Sequence, residues 1–484
     1  MSPHPLKALV TRRELVKAGA AGAALAAVPA GRALAASGRA PATTGTAAPF
    51  SLALRTAPVL RPYRRDGRTD YYRMAMSEAP VQILPGAPTV MRTFAGSVPA
   101  PTILARSGRT VVVDQLNRLS VDTSVHLHGG HVPADSDGHP RFFLPPGGRR
   151  RYTYPNDQIS STLWYHDHSL SDDAENVYRG LAGAYLLRDS FEDRLPLPSG
   201  RYDVLLQLRD AKFADDNSLV YDINGFMDRP TNLVNGTPQP YFRVDARKYR
   251  FRLVNTSNER VYLLSLADDS PMVQIASDGG LLPAPASLTS VMFWPGERIE
   301  LVVDFSRYAV GSSVVLENLA GFPGEDPQLM RFDVVRTAPD HSSVPEVLRP
   351  LPPAEEPTAA RDFVLTFDLK TGEYLINGLP FDLDRIDLTT RLGSTEAWTV
   401  SNPLEGPPIP HSFHVHLDQF RVLDRDGKPP AAGESGLKDT VALQPGETVR
   451  LLVRTTDYRG LFLYHCHMMG HTQMGMMGQF ETFT

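Results

Sequence analysis

A single cysteine, Cys466, excludes an intramolecular disulfide framework. Outside the N-terminus, no apolar run reaches the roughly 20 residues that a membrane-spanning helix needs. Charge of either sign is modest. The 484-residue chain carries a formal net charge of −5, and its first 35 residues contribute five basic side chains against Glu14, which leaves an acidic body. Without a dense lysine and arginine stripe, nucleic acid and anionic membranes are excluded as expected partners, and no stable membrane association is expected. What is abundant is proline (42) and glycine (37), which favour turns and short strands over long helices. The length, about three times that of a usual single domain, predicts two to four domains of an all-β, soluble or secreted protein.

The N-terminus reads as an export signal. Thr11-Arg12-Arg13-Glu14-Leu15-Val16-Lys17 precedes a weakly apolar Ala/Gly segment, Ala18 to Ala30, and then Ala33-Leu34-Ala35. Paired arginines, a modest apolar stretch and an A-x-A site predict a twin-arginine signal peptide over residues 1–35, cleaved after Ala35. The expected destination is the periplasm, cell wall or medium. A lone cysteine in such an oxidising compartment needs something to occupy its sulfur.

The body contains a degenerate three-fold repeat. Ala95-Gly96-Ser97-Val98-Pro99 leads through Thr110–Asn117 to Pro146-Gly147-Gly148. Val234-Asn235-Gly236-Thr237-Pro238 leads through Tyr249–Asn255 to Pro295-Gly296-Glu297, and Ile376-Asn377-Gly378-Leu379-Pro380 leads through 397–402 to Pro445-Gly446-Glu447. Alternating apolar and polar residues after the Pro-Gly steps predict half-buried strands, and short strands between turn signals predict β-sandwiches or Greek-key barrels. Polar, proline-bearing segments at Asp189–Tyr202 and Arg336–Arg361 separate three domains at 36–190, 200–338 and 360–484.

Ten of the 14 histidines fall in four motifs: HLHG at 126–129, HDH at 166–168, HSFHVH at 411–416, and HCH at 465–467 with His471 beyond. Each contains an H-x-H pair, and alternate residues of a strand share one face, so both imidazoles of a pair enter one space. Eight imidazoles aimed at one region exceed what a tetrahedral zinc uses and fit a cluster of several metal ions. Cys466, between His465 and His467, must point the other way, where it can meet His411 and His471. Two histidines and a thiolate with a weak axial methionine, here Met476, define a blue-copper electron-transfer site, and the Cys466 backbone joins it to the cluster.

With these motifs the chain resembles the multicopper oxidases, the family of laccases, bilirubin oxidases, phenoxazinone synthases and spore-coat laccases. The motifs HLHG, WYHDH, HSFHVH and HCHMMGH-TQMGM stand in the family's order, and the match spans essentially the whole mature chain. The resemblance implies three consecutive cupredoxin-like Greek-key β-sandwich domains and four copper ions, one type 1, one type 2 and two type 3. It assigns His411, Cys466, His471 and axial Met476 to the type 1 copper, His126 and His414 to the type 2, and His128, His166, His168, His416, His465 and His467 to the type 3 pair. The three-copper cluster would lie between the first and third domains, with the histidine-free second domain acting mainly as a spacer. Relatives carry an acidic residue where this chain has Thr472. Asp137 matches the family's other acidic relay and is expected to take more of the proton traffic.

The implied activity is a copper-dependent oxidase that takes single electrons from a small aromatic reductant, phenolic or aminophenol-like, passes them through Cys466, His465 and His467, and reduces dioxygen to water. A cuprous oxidase is a rival, but no methionine lies between Gly393 and Gly460. A non-catalytic copper-binding protein is another, but such members lose ligands and all twelve are present here. His4, His131, His139 and His341 read as ordinary surface or loop residues. Met468, Met469, Met474 and Met477 read as core packing, Asp172–Glu175 as a solvated loop, and Asp167 as an orienting neighbour of the ligands. Trp164 and Tyr165 read as packing residues.

Overall fold

The computed structural model describes residues 47–321 and 325–484. The expected signal peptide lies outside the described residues. Among the described residues, strands form six sheets, two to each sandwich, and the three sandwiches share one topology.

In the first, Thr69–Val81 runs parallel to Thr110–Asn117, which pairs antiparallel with Arg149–Tyr154. The same order recurs in Asp203–Ala211, Lys248–Asn255 and Arg298–Asp304. It recurs again in Ala359–Asp368, Thr395–Ser401 and Thr448–Arg454. The facing sheets repeat as well. Val125–His128 pairs with Ser161–Asp167 in the first, Tyr262–Leu266 with Ser313–Asn318 in the second, and His411–Val415 with Gly460–Cys466 in the third. Alternation drives the layering. Tyr72, Met74 and Met76 of one strand turn inward to a core with Phe94 and Tyr165, and the second and third sandwiches bury equivalent cores around Phe251 and Phe332 and around Trp398 and Phe413.

The repeated turns explain themselves locally. Ala95-Gly96, Asn235-Gly236 and Asn377-Gly378 all take positive φ at both positions (52° and 73°, 50° and 68°, 54° and 75°), the two-residue turn that matches the twist of flanking strands. The asparagines Asn117, Asn255 and Asn402 do the same work three times. Each side-chain amide donates to two loop carbonyls, among them Leu144, Phe293 and Leu443, and each backbone carbonyl accepts from the glycine of the Pro-Gly turn.

Two local expectations are corrected. Asp172–Glu175 is not a solvated loop: Asp173–Tyr178 is a short helix, with Ala174 and Val177 packed on Met469 and Asp173 itself buried. His139 is no surface residue. It is fully buried where the loop after HLHG is pressed between the first and third sandwiches, and its Nδ1 accepts from the Arg141 amide at 3.1 Å while Nε2 donates to Gln479 Oε1 at 3.1 Å.

Candidate metal centre

The H-x-H strands of the first and third sandwiches carry their imidazoles in matching register. His126 pairs across the ladder with His166, and His414 with His465. The two sandwiches then face each other ring to ring. His126 stacks on His416 and His128 on His414, both at 3.8 Å between centroids. His168, His465 and His467 close the group, and none of these eight rings is more than 1% exposed.

Their protons are assigned by their partners, because a carbonyl oxygen can only accept. Nδ1 donates to a backbone carbonyl in His126 (Asp137, 2.6 Å), His414 (Asp439, 2.7 Å), His166 (Asp167, 2.8 Å) and His465 (Cys466, 3.0 Å). His416 Nδ1 donates to Asp137 Oδ2 at 2.7 Å. Each of these rings therefore turns a bare Nε2 inward. Those of His126, His166 and His414 have no partner among the described residues, and His465 Nε2 sits 3.2 Å from Nε2 of both His168 and His416. His128 is reversed: its Nε2 meets Asp439 Oδ1 at 2.9 Å, and its Nδ1 is the bare atom. Buried lone pairs facing one another without a donor repel unless a cation lies among them, so this donor set fits metal. Burial, followed by the neighbouring imidazoles, pushes His128, His168 and His414 far below the ordinary histidine range. His416 is lowered to about 4, with burial first and His126 next, against the upward pull of Asp137. These four rings favour the neutral form, which is the form that binds metal.

Cys466 points to the opposite face, as its position between two inward histidines requires. Its Sγ lies 3.5 Å from His471 Nδ1 and 3.8 Å from His411 Nδ1, those two nitrogens are 3.2 Å apart, and the Ser412 amide donates to the sulfur at 3.4 Å. Burial pushes the thiol up to about 12, so only a bound cation would hold it as thiolate in water near neutrality. Met476 is brought alongside by its backbone. Its carbonyl accepts from Cys466 N at 3.0 Å, its amide donates to His471 O at 2.9 Å, and its side chain shares the core that holds Cys466. Tyr374 stacks on His471 at 4.0 Å between centroids and an angle of 17°. Thr472 donates its hydroxyl to the Cys466 carbonyl, 3.4 Å from His465 Nδ1.

Other residues fall partly as expected. Trp164 packs flat on His166, and Met468, Met469 and Met477 are buried, with Met474 packed on the core. The Asp167 carboxylate accepts from Ser124, Ser169 and Asn176 and so braces the loops around the cluster, while its backbone carbonyl orients His166. His131 is no idle surface residue. It lies between Asp418 (3.1 Å) and Asp457 (2.7 Å), tying the first sandwich to the third. Burial opposes its charge, but the two carboxylates outweigh it and lift its pKa to about 9.

The residues missed by sequence reasoning come from the middle sandwich and its contact with the third. Asp439, Thr440, Arg298 and Gly296 all touch cluster histidines or their partners. The middle domain is thus more than a spacer. Asp439 stands between Lys438 and Thr440 on an unremarkable stretch of sequence, so only the docking of two domains reveals it.

Three sandwiches of one topology, two facing histidine arrays between the outer pair and a cysteine-centred site beside them define a multidomain protein with two candidate metal sites. The chain belongs to the multicopper oxidase family, which it matches over residues 75–191 and again over 351–483. It is 35% identical to a laccase of Bacillus stratosphericus over 495 aligned positions, covering 87% of this chain and 96% of that one. It is also 35% identical to a bilirubin oxidase of Albifimbria verrucaria, over 85% of this chain and 76% of the other. The solved laccase of Pediococcus acidilactici superposes with a TM-score of 0.83 at 33% identity, covering 90% and 96% of the two chains. Copper is the cofactor, the fold is the cupredoxin-like triple sandwich, and the protein is an oxidase of laccase type with oxygen as acceptor. Among the described residues no helix is long and apolar enough to cross a membrane.

Proposed function

We propose that the chain holds four copper ions and oxidises small phenols, aminophenols or bilirubin-like pigments one electron at a time. His411, Cys466, His471 and Met476 would hold a single ion, His126 and His414 a second, and His128, His166, His168, His416, His465 and His467 a pair. When bound, the copper ions accept single electrons from the donor and together supply the four that convert dioxygen to two waters. The observation that carries this reading is the apposition of bare, buried imidazole nitrogens, with His465 Nε2 at 3.2 Å from His416 Nε2 while the Nδ1 of each ring donates elsewhere.

The chain's own groups have distinct parts in it. Tyr374 and His471 form the aromatic edge nearest solvent, His471 being 6% exposed against 1% for His411, so an aromatic donor approaches there. Cys466 is bonded through the backbone to His465 and His467, which makes the connection between the two sites covalent. Asp137 fixes the Nδ1 proton of His416, and its Oδ1 lies 3.4 Å from His126 Nδ1. That second oxygen has no hydrogen-bond partner among the described residues, which leaves it free to accept a hydrogen bond from water that carries protons to the centre. Burial opposes the Asp137 charge, but His416 and His126 outweigh it and hold the carboxyl below the usual carboxylate range. Export by the twin-arginine route, to the periplasm, cell wall or medium, belongs to the same reading. It rests on the paired arginines and the A-x-A site.

Oxygen uptake by the copper-loaded protein tests it, with a substituted o-aminophenol and Cu(I) offered separately and Cys466→Ser as control. Rapid uptake with the aminophenol, abolished in the variant, is expected. Uptake with Cu(I) alone would transfer the physiological role to copper detoxification.

A further inference from the structure

The three Pro-Gly turns of the repeat share a backbone and differ in what they face. Gly147, Gly296 and Gly446 have φ of 78°, 85° and 86°. A Cβ added at Gly147 would meet no described atom within 4 Å, and one at Gly446 would meet only the flexible side chain of Leu404. At Gly296 it would lie 2.6 Å from Cγ and 2.9 Å from Nδ1 of His467. The absence of a side chain there is what lets the middle sandwich close against a cluster histidine. Beside it, the Pro295 carbonyl accepts from Ser412 Oγ at 2.9 Å, next to His411.

Two residues further on, the turn places Arg298, which is fully buried. At the equivalent place the first sandwich has the exposed Arg149 and the third has Thr448. A guanidinium has five N–H groups, and Arg298 uses all of them. Nε donates to Thr162 O (3.0 Å) on the strand that carries His166. Nη1 donates to Gly296 O (3.1 Å) and Asp439 Oδ1 (2.6 Å), and Nη2 to Asp278 O (3.1 Å) and Asp439 Oδ2. Asp439 passes this order on. Its Oδ1 takes the His128 Nε2 proton and its carbonyl takes the His414 Nδ1 proton, while Thr440 Oγ1 donates to that same Oδ1 at 2.9 Å.

We propose that the Pro295–Arg298 turn of the histidine-free middle sandwich is a positioning element for the eight-imidazole centre, walling in His467 directly and, through Asp439, holding His128 in the tautomer that presents Nδ1. The inference rests on the copper reading above.

The test compares Gly296→Ala and Arg298→Lys with Gly147→Ala, a control that carries the same backbone strain at an equivalent turn. Copper bound per chain is measured after dialysis against a chelator, together with the blue absorption of the cysteine-centred site and the melting of the copper-free proteins. Gly147→Ala is expected to keep the wild-type copper count. Gly296→Ala and Arg298→Lys are expected to keep the blue absorption while the eight-imidazole centre holds copper ~10–100-fold less tightly, the usual cost of losing a partner of a metal ligand. Retention equal to Gly147→Ala in both variants would overturn the proposal, and so would parallel loss of the blue site, which would mark a general folding defect. If Gly296→Ala does not fold, Asp439→Asn with Arg298→Lys decides in the same way. A wild-type count below four faults the copper assignment. A variant-to-wild-type ratio of one faults the positioning role whatever that count is.

Discussion

Around Cys466 the neighbours are apolar and aromatic, with Tyr374, Phe413 and Met476 in one core and His471 slightly more exposed than the deep rings. Around His465 and His467, one residue away on either side, the neighbours are imidazoles, carboxylates and backbone carbonyls, and no ring exceeds 1% exposure. The contrast follows from the two-residue period of a strand: one tripeptide presents its sulfur to one face and both imidazoles to the other. In the proposed reading the cysteine site would meet a donor and exchange electrons, and the deep site would hold charge and protons, with a hydrogen-bond partner on the outward ring nitrogen of six of its eight histidines.

The most severe way to break this pairing is Cys466→Ser. It removes the sulfur and leaves all eight deep imidazoles, so oxygen uptake with an organic donor should fall to background, with the blue absorption gone and copper still bound at the deep centre. Uptake at the wild-type rate would disconnect the two sites. Asp137→Asn comes next. Asparagine can still accept from His416 Nδ1 but lacks the negative charge that draws and orients proton-carrying water, so turnover should drop ~10²-fold. Anaerobic bleaching of the blue site by donor should stay at its normal rate, and slowed bleaching would place Asp137 on the wrong side of the comparison. Met476→Leu sharpens the other side: loss of a weak axial thioether should raise the reduction potential of the cysteine site in a redox titration. An unchanged or lower potential removes Met476 from that site.

The smallest expected effect lies outside both centres. His131 is flanked by Asp418 and Asp457, with the Tyr458 ring at 4.7 Å. Its folded pKa of about 9 stands above the unfolded value near 6.5. The stability it contributes is therefore fully present below pH 6.5 and is lost as pH rises through about 9. His131→Gln should lower unfolding free energy by on the order of 2 kcal/mol at pH 6 and make little difference at pH 10, measured by denaturant titration at the two values. A pH-independent difference would assign the contact to packing.

Much of this was legible in the chain itself. Asn235-Gly236 and Asn377-Gly378 announce tight hairpins, the Pro-Gly steps mark the repeat, and H-x-H on a strand fixes which side chains share a face, because each of these signals is decided by local backbone geometry. The sequence could also place Cys466 opposite His465 and His467 by parity alone. What stayed hidden depends on docking. Nothing local distinguishes Gly296 from Gly147, yet one abuts His467 and the other meets open space. Asp439 and Arg298 are 141 positions apart and acquire their roles only when two sandwiches meet. His139 and Asp173 look exposed because their neighbours are polar, and both are buried by elements distant in sequence.

Arg298 also bears on how the chain assembles. Its acceptors come from all three sandwiches, so no docked pair of modules satisfies it, and a pair that buries it before the remaining module arrives leaves donors open. A charge left so exposed to low dielectric costs several kcal/mol. A partly docked chain that buries Arg298 is thereby penalised, and the third arrival completes the network that the first two leave unfinished.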